Sequence, residues 1–109
     1  LRKSSEFAAI RREGRSWTDR VLVLITRRNG LNVSRFGFTV GRRVGNAVVR
    51  NRVKRRLRAV ASEPAVSQGW DLVVIARKPA ADSAAETLSK SLIGLLNRAG
   101  VVLVGQSKV

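Results

Sequence analysis

Residues 42–58 read R-R-V-G-N-A-V-V-R-N-R-V-K-R-R-L-R, with eight cations and no carboxylate. Val49, Val53 and Leu57, with Val60 just beyond, recur at helical spacing and form one narrow apolar stripe. At about 100° per residue, the six cations from Arg50 to Arg58 then spread over the rest of the circumference. The spacing predicts a helix over 46–61, started by Gly45 and capped by Asn46. The stretch lies within a longer acid-free interval. The seven carboxylates are Glu6, Glu13, Asp19, Glu63, Asp71, Asp82 and Glu86, so residues 20–62 contain none while carrying twelve cations. A solvated helix face mixes signs to gain i,i+4 pairs worth about 0.2–0.5 kcal/mol each. Here Arg50–Lys54 and Lys54–Arg58 are like-charge pairs at that spacing. Their repulsion is unfavourable in the free protein and points to an anionic partner.

The flanking segments supply a sheet and two more helices. Residues 4–13 predict a short helix, with Ser4 or Ser5 as cap, Phe7 and Ile10 on one side, and Gly14 at its end. Residues 20–27 are aliphatic on both alternating faces, as in a strand covered on both sides, and Arg15–Trp17 suggests a short strand before it. Residues 34–41 alternate, with Phe36, Phe38 and Val40 on one face and Arg35, Gly37 and Thr39 on the other. The intervening R-N-G-L-N, with Asn-Gly at its centre, predicts a hairpin joining these two strands. Residues 70–77 form a further strand closed by Pro79. S-A-A-E (Ser83–Glu86) matches a capping box and opens a last helix, in which Leu88, Leu92, Leu95 and Ala99 share a face before Gly100. The expected fold class is α+β, a two-layer α/β sandwich. Guanidinium forks pair with phosphates and stack on bases, so the basic helix reads as RNA-binding, and the expected organisation is a single RNA-binding domain over residues 1–100 and a C-terminal tail over 101–109.

Composition narrows the chemistry. A net charge of 22 − 7 = +15 on 109 residues makes a polyanion the default partner. With no Cys and no His, disulfides, thiol nucleophiles, Ser-His-Asp triads and the usual zinc ligands are excluded. The scattered carboxylates show no cluster suited to a two-metal site, so no metal site and no catalytic residue is assigned to the protein. No apolar run reaches the roughly 18 residues of a membrane span, so no membrane partner is expected. No apolar signal segment opens the sequence, and the simplest expectation is a cytoplasmic protein. The chain begins at Leu1 without Met, so further residues are expected before it.

The string G-N-A-V-V-R-N-R-V-K-R-R-L-R, Gly45 to Arg58, closely resembles the signature of the bacterial ribonuclease P protein subunit family. L-R-K-S-S-E-F (Leu1–Phe7), F-G-F-T-V-G-R-R-V (Phe36–Val44) and D-L-V-V-I-A-R-K-P-A (Asp71–Ala80) resemble the family in the matching order, so the likeness reaches to about Gly100. The resemblance implies the element order αβββαβα with a left-handed βαβ crossover. It also implies a ribonucleoprotein that cuts the 5′ leader from precursor tRNA. Catalysis would reside in the ribonuclease P RNA, with Mg²⁺ at the RNA active site, no cofactor held by the protein and one protein per RNA. Carried over by position, Asn46, Arg50, Asn51, Arg52, Lys54, Arg55, Arg56 and Arg58 face the catalytic RNA. A cleft between the first helix and the sheet receives the leader, with Phe7, Arg11, Arg42 and Arg43 as its contacts. Phe7 alternatively makes an ordinary core contact. The chain departs from the family by carrying Arg11 and Leu24 where aromatics are common, which shifts leader binding toward arginine and shape. Arg77 and Lys78 are weaker phosphate candidates, while Trp17 and Trp70 read as packing residues. A ribosomal or other structural RNA-binding protein, and a self-sufficient metal-dependent nuclease, are the competing readings.

Overall fold

The computed structural model describes residues 4–102. In chain order the elements are α1 (Ser4–Glu13), β1 (Arg15–Thr18), β2 (Leu22–Arg28), β3 (Arg35–Val40), α2 (Ala47–Ala61), β4 (Trp70–Ala76) and α3 (Ala85–Ala99). Short 3₁₀ turns at Arg42–Val44 and Lys78–Asp82 follow β3 and β4. This is the expected αβββαβα order.

The four strands form one sheet in the order β1-β2-β4-β3. β2 pairs antiparallel with β1 and β4, while β3 runs parallel to β4 and is joined to it by α2 in a βαβ crossover. The hairpin expected between β2 and β3 is therefore absent, because β4 lies between them. β4 has Leu72, Val73 and Val74 wholly excluded from solvent, so it needs cover on both faces and a partner on each edge. The Asn-Gly turn does form, with the Leu31 N–H donating to Asn29 Oδ1 at 2.8 Å and Gly30 at φ 71°. It belongs to a longer crossing over the head of β4, fastened where Asn29 N–H donates to Gly69 O and Gly69 N–H to Val33 O. Local turn chemistry suits either arrangement, and burial of β4 selects the second.

Alternation divides the core between the two sheet faces. Leu22 and Leu24, Leu72 and Val74, and Phe36 and Phe38 face α2 and α3, meeting Val53, Leu57, Leu88, Leu92, Leu95 and Leu96. On the opposite face Ile25 and Val73 pack with Ile10 of α1, and Phe7, Val23 and Ile75 border them. Burial of this kind contributes roughly 1.5–3 kcal/mol per large aliphatic side chain.

Gly14 ends α1 through close packing. A Cβ there would lie 2.6 Å from both Ile10 O and Thr26 O, so only glycine lets the chain turn this close to β2. The capping box expected at Ser83 does not form. The Ser83 hydroxyl donates instead to Pro79 O at 2.9 Å, closing the preceding 3₁₀ turn, and α3 starts after Ala84 without a side-chain cap. Gly100, at φ 74°, ends α3 as expected. Beyond it Val101 is buried and Val102 bridges to Val66, while residues 103–109 of the predicted tail lie outside the described residues. No helix among the described residues is long and apolar enough to cross a membrane.

Candidate nucleic-acid interface

α2 is capped as its sequence predicts: Asn46 Oδ1 accepts from the Val49 backbone N–H at 3.0 Å. Its stripe is buried, with Val53 and Leu57 fully excluded from solvent. The remaining circumference is not uniform. Arg52 and Arg56, one turn apart, lie across the Lys78–Asp82 turn. Arg52 Nη2 donates to Ala81 O at 3.2 Å, and Arg56 Nη1 donates to Ser83 O at 3.0 Å. Asn46, Asn51, Arg55 and Arg58 are exposed, and Arg50 is half-buried. Among the described residues the guanidiniums of Arg50, Arg55 and Arg58 join no ion pair and no side-chain hydrogen bond. The Nε atoms of Arg50 and Arg52 are buried without a partner, an unmet polar demand within this surface.

A second surface adjoins it. An open groove of about 740 Å³ runs between α1 and the free edge of β3. Phe7, Ala8, Arg11 and Arg12 line it from α1, Phe38 to Val40 from β3, and Lys54 from α2. Its borders thus combine cations with an aromatic and aliphatic surface, the chemistry that holds a single strand by its phosphates and its bases.

The groove keeps its shape because α1 is clamped to the sheet. Registered side by side on the α1 face are Arg27 of β2, Asp71 of β4 and Arg35 of β3. Asp71, fully buried, accepts from Arg35 Nη2 at 2.8 Å, Arg35 Nε at 2.9 Å, Asn29 Nδ2 at 3.0 Å and Arg27 Nη2 at 3.3 Å. The same arginines reach α1, Arg35 to Glu6 at 3.4 Å and Arg27 to Glu13 at 3.0 Å. Burial alone would raise the Asp71 carboxyl, but the hydrogen bonds from Arg35, Asn29 and Arg27 outweigh it and hold the group below its ordinary range. Across the molecule, burial of Asp19 is likewise outweighed. Its carboxylate accepts from Ser91 and from the backbone N–H groups of Leu22 and Val21, and its pKa is lowered.

Of the residues expected in the cleft, Phe7 and Arg11 line the groove. Phe7 does so while also bordering the Ile10–Ile25–Val73 cluster, so its two readings describe one position. Arg42 and Arg43 sit exposed in the 3₁₀ turn beyond β3, outside the groove lining. Lys54, assigned from its helix to the catalytic-RNA set, lines the groove, as does Arg12, which the sequence reading missed beside Arg11. Leu24 faces α3 and is wholly buried, so the groove does not use that position; Val23 and Ile25 point toward α1. Arg77 Nη1 donates to Asp19 O at 2.6 Å, tying the end of β4 to the turn before β2. Among the described residues no three His, Cys, Asp or Glu converge as ligands for a metal ion.

These features define a class: small basic α+β proteins that display charge on a crossover helix and along an adjoining groove. The chain belongs to the ribonuclease P protein family, whose model, Ribonuclease P, matches residues 1–100. It is 44% identical over 105 residues to the ribonuclease P protein component of Roseiflexus castenholzii, covering 94% of this chain and 86% of that protein. It is 38% identical over 104 residues to the component from Clostridium botulinum strain Loch Maree, covering 93% and 94%. Among solved structures it resembles the Staphylococcus aureus RNase P protein, with a TM-score of 0.85, 32% identity and coverage of 94% and 96%. It also resembles the Thermotoga maritima RNase P protein, with a TM-score of 0.82, 34% identity and coverage of 90% and 94%. The family is that of a ribonucleoprotein endoribonuclease of tRNA processing.

Proposed function

We propose that this chain is the protein subunit of a ribonuclease P ribonucleoprotein, with α2 bound to the catalytic RNA and the groove occupied by the 5′ leader of precursor tRNA. The observation that carries this reading is the position of Lys54. It belongs to the basic helix yet lines the groove with Phe7 and Arg11, so the two cationic surfaces meet at one side chain. Two RNAs brought to these surfaces would lie side by side, and the uncompensated arginines between them would screen their mutual repulsion. Exposed Asn51, Arg55 and Arg58 and half-buried Arg50 would contact the catalytic RNA, with guanidinium forks matched to phosphate oxygens. Phe7 would stack against a leader base, an interaction worth about 1–3 kcal/mol. Catalysis would reside in the RNA, whose bound Mg²⁺ supplies the hydrolytic chemistry; this chain positions substrate and supplies charge. The reading implies one protein per RNA, in the cytoplasm.

Cleavage of precursor tRNA at near-physiological Mg²⁺ tests it. The protein alone should be inert, the cognate RNA alone slow, and the two together fast. Arg50→Ala with Arg55→Ala should weaken binding to the catalytic RNA, whereas Phe7→Ala should chiefly weaken selection of leader-bearing over mature tRNA. Lack of stimulation, or cleavage by the protein without RNA, would overturn the proposal.

A further inference from the structure

The only two tryptophans of the chain border one cavity, Trp17 from the edge strand β1 and Trp70 from the head of the interior strand β4. Trp17 of β1 pairs with Leu24, and Trp70 at the head of β4 pairs with Arg28. Both rings therefore lie on the face of β2 that carries Leu24, Thr26 and Arg28. α3 stops short of this corner at Ala99, leaving a cavity of about 210 Å³ bordered by Trp17, Thr26, Trp70 and Ala99. Exposed guanidiniums lie over the rings, Arg15 at 5.3 Å from the Trp17 centroid and Arg28 at 4.9 Å from that of Trp70. Neither arginine joins an ion pair or a side-chain hydrogen bond among the described residues. The one carboxylate in the lining, Glu13, is already paired with Arg27 at 3.0 Å.

We propose that this cavity is a second single-strand RNA contact, which takes one unpaired nucleotide with its base against tryptophan and its phosphate on Arg15 and Arg28. Aromatic rings and guanidinium planes are the surfaces on which unstacked RNA bases settle. The volume falls below the roughly 300–1,000 Å³ of a drug-sized pocket and suits a single ring system. The unneutralised cations select an anion, and the rings select a base over a bare phosphate. The site lies across the sheet from the groove on β3, and neither α2 nor the groove contributes a side chain to its lining. It is therefore a separate site, and only its standing as a second RNA contact rests on the proposed function.

With two tryptophans and no tyrosine, the intrinsic fluorescence of the chain reports on this cavity alone. The full chain, without any catalytic RNA, is titrated with a short oligoadenylate ribonucleotide. Saturable quenching is expected, whereas linear polyphosphate and an abasic oligonucleotide at equal phosphate concentration leave the signal unchanged. The double variant Arg15→Ala/Arg28→Ala should retain its thermal transition and shift the quenching midpoint roughly five- to ten-fold upward. Phe7→Ala should leave the midpoint where it was. Absent quenching, equal quenching by polyphosphate, or a midpoint that follows Phe7 rather than the two arginines would overturn the proposal.

Discussion

Arginine performs opposite tasks on the two faces of this sheet. On the α1 face, Arg27 and Arg35 converge on Asp71 and reach out to Glu6 and Glu13, so three of the seven carboxylates are committed to two cations. On α2, exposed Arg55 and Arg58 and half-buried Arg50 join no ion pair among the described residues. The first arrangement is internally neutralised and fixes α1 against the sheet. The second is left unpaired and costs the free protein repulsion that an RNA phosphate can relieve. A count of cations treats these arginines alike; the location of the acids separates them.

The largest effect should come from breaking the neutralised face. Asp71→Ala leaves Arg27 and Arg35 without their shared buried partner and should cost about 3 kcal/mol, the lower end for a broken buried ion pair, because each arginine keeps a second carboxylate and some solvent. Thermal or denaturant unfolding measures this, and a loss within about 0.5 kcal/mol would show that the clamp is dispensable. The same site sets a pH dependence. Because the folded Asp71 carboxyl titrates below its unfolded value of about 3.9, its stabilisation is complete above that value and is lost as pH falls through the folded pKa. Asp71→Asn should flatten the acid limb of the stability profile. Some slope should remain, because Asp19 is depressed in the same direction.

The unpaired face should respond in the opposite way. Replacing Arg50, Arg55 and Arg58 together by Gln should leave folding stability unchanged or slightly raised. The same variant should reduce the salt dependence of RNA binding by about two to three units of log–log slope. A stability loss comparable to that of Asp71→Ala would erase the contrast between the faces. A smaller effect, about 1 kcal/mol, is expected for Asn46→Ala, which removes the cap on the Val49 N–H. Its loss should appear in unfolding measurements, with the salt slope of RNA binding unaltered.

Much of the interface was legible along the chain. The stripe from Val49 to Val60, the Asn46 cap and the acid-free run are local patterns, and the structure realises them because helix period and capping depend on neighbours within a turn or two. Strand alternation was legible for the same reason, so the faces of Phe36, Phe38 and Arg35 follow from the sequence. The β2–β3 hairpin was misread because Asn29-Gly30 permits a tight turn, while nothing local reveals that β4 enters between the two strands. Ser83 was misread because its hydroxyl had two acceptable uses, and the preceding 3₁₀ turn took it.

By itself, the sequence determined the elements, the sign and concentration of the charge, and the family. Only the tertiary structure decided the strand order, the withdrawal of Arg27 and Arg35 into the Asp71 network, the laying of Arg52 and Arg56 across the Lys78–Asp82 turn, and the place of Lys54 in the groove. The division has a physical cause. Periodicity is set by covalent geometry over a few residues, whereas strand pairing and charge compensation join groups far apart in the chain, such as Arg35 and Asp71, once burial has brought them together.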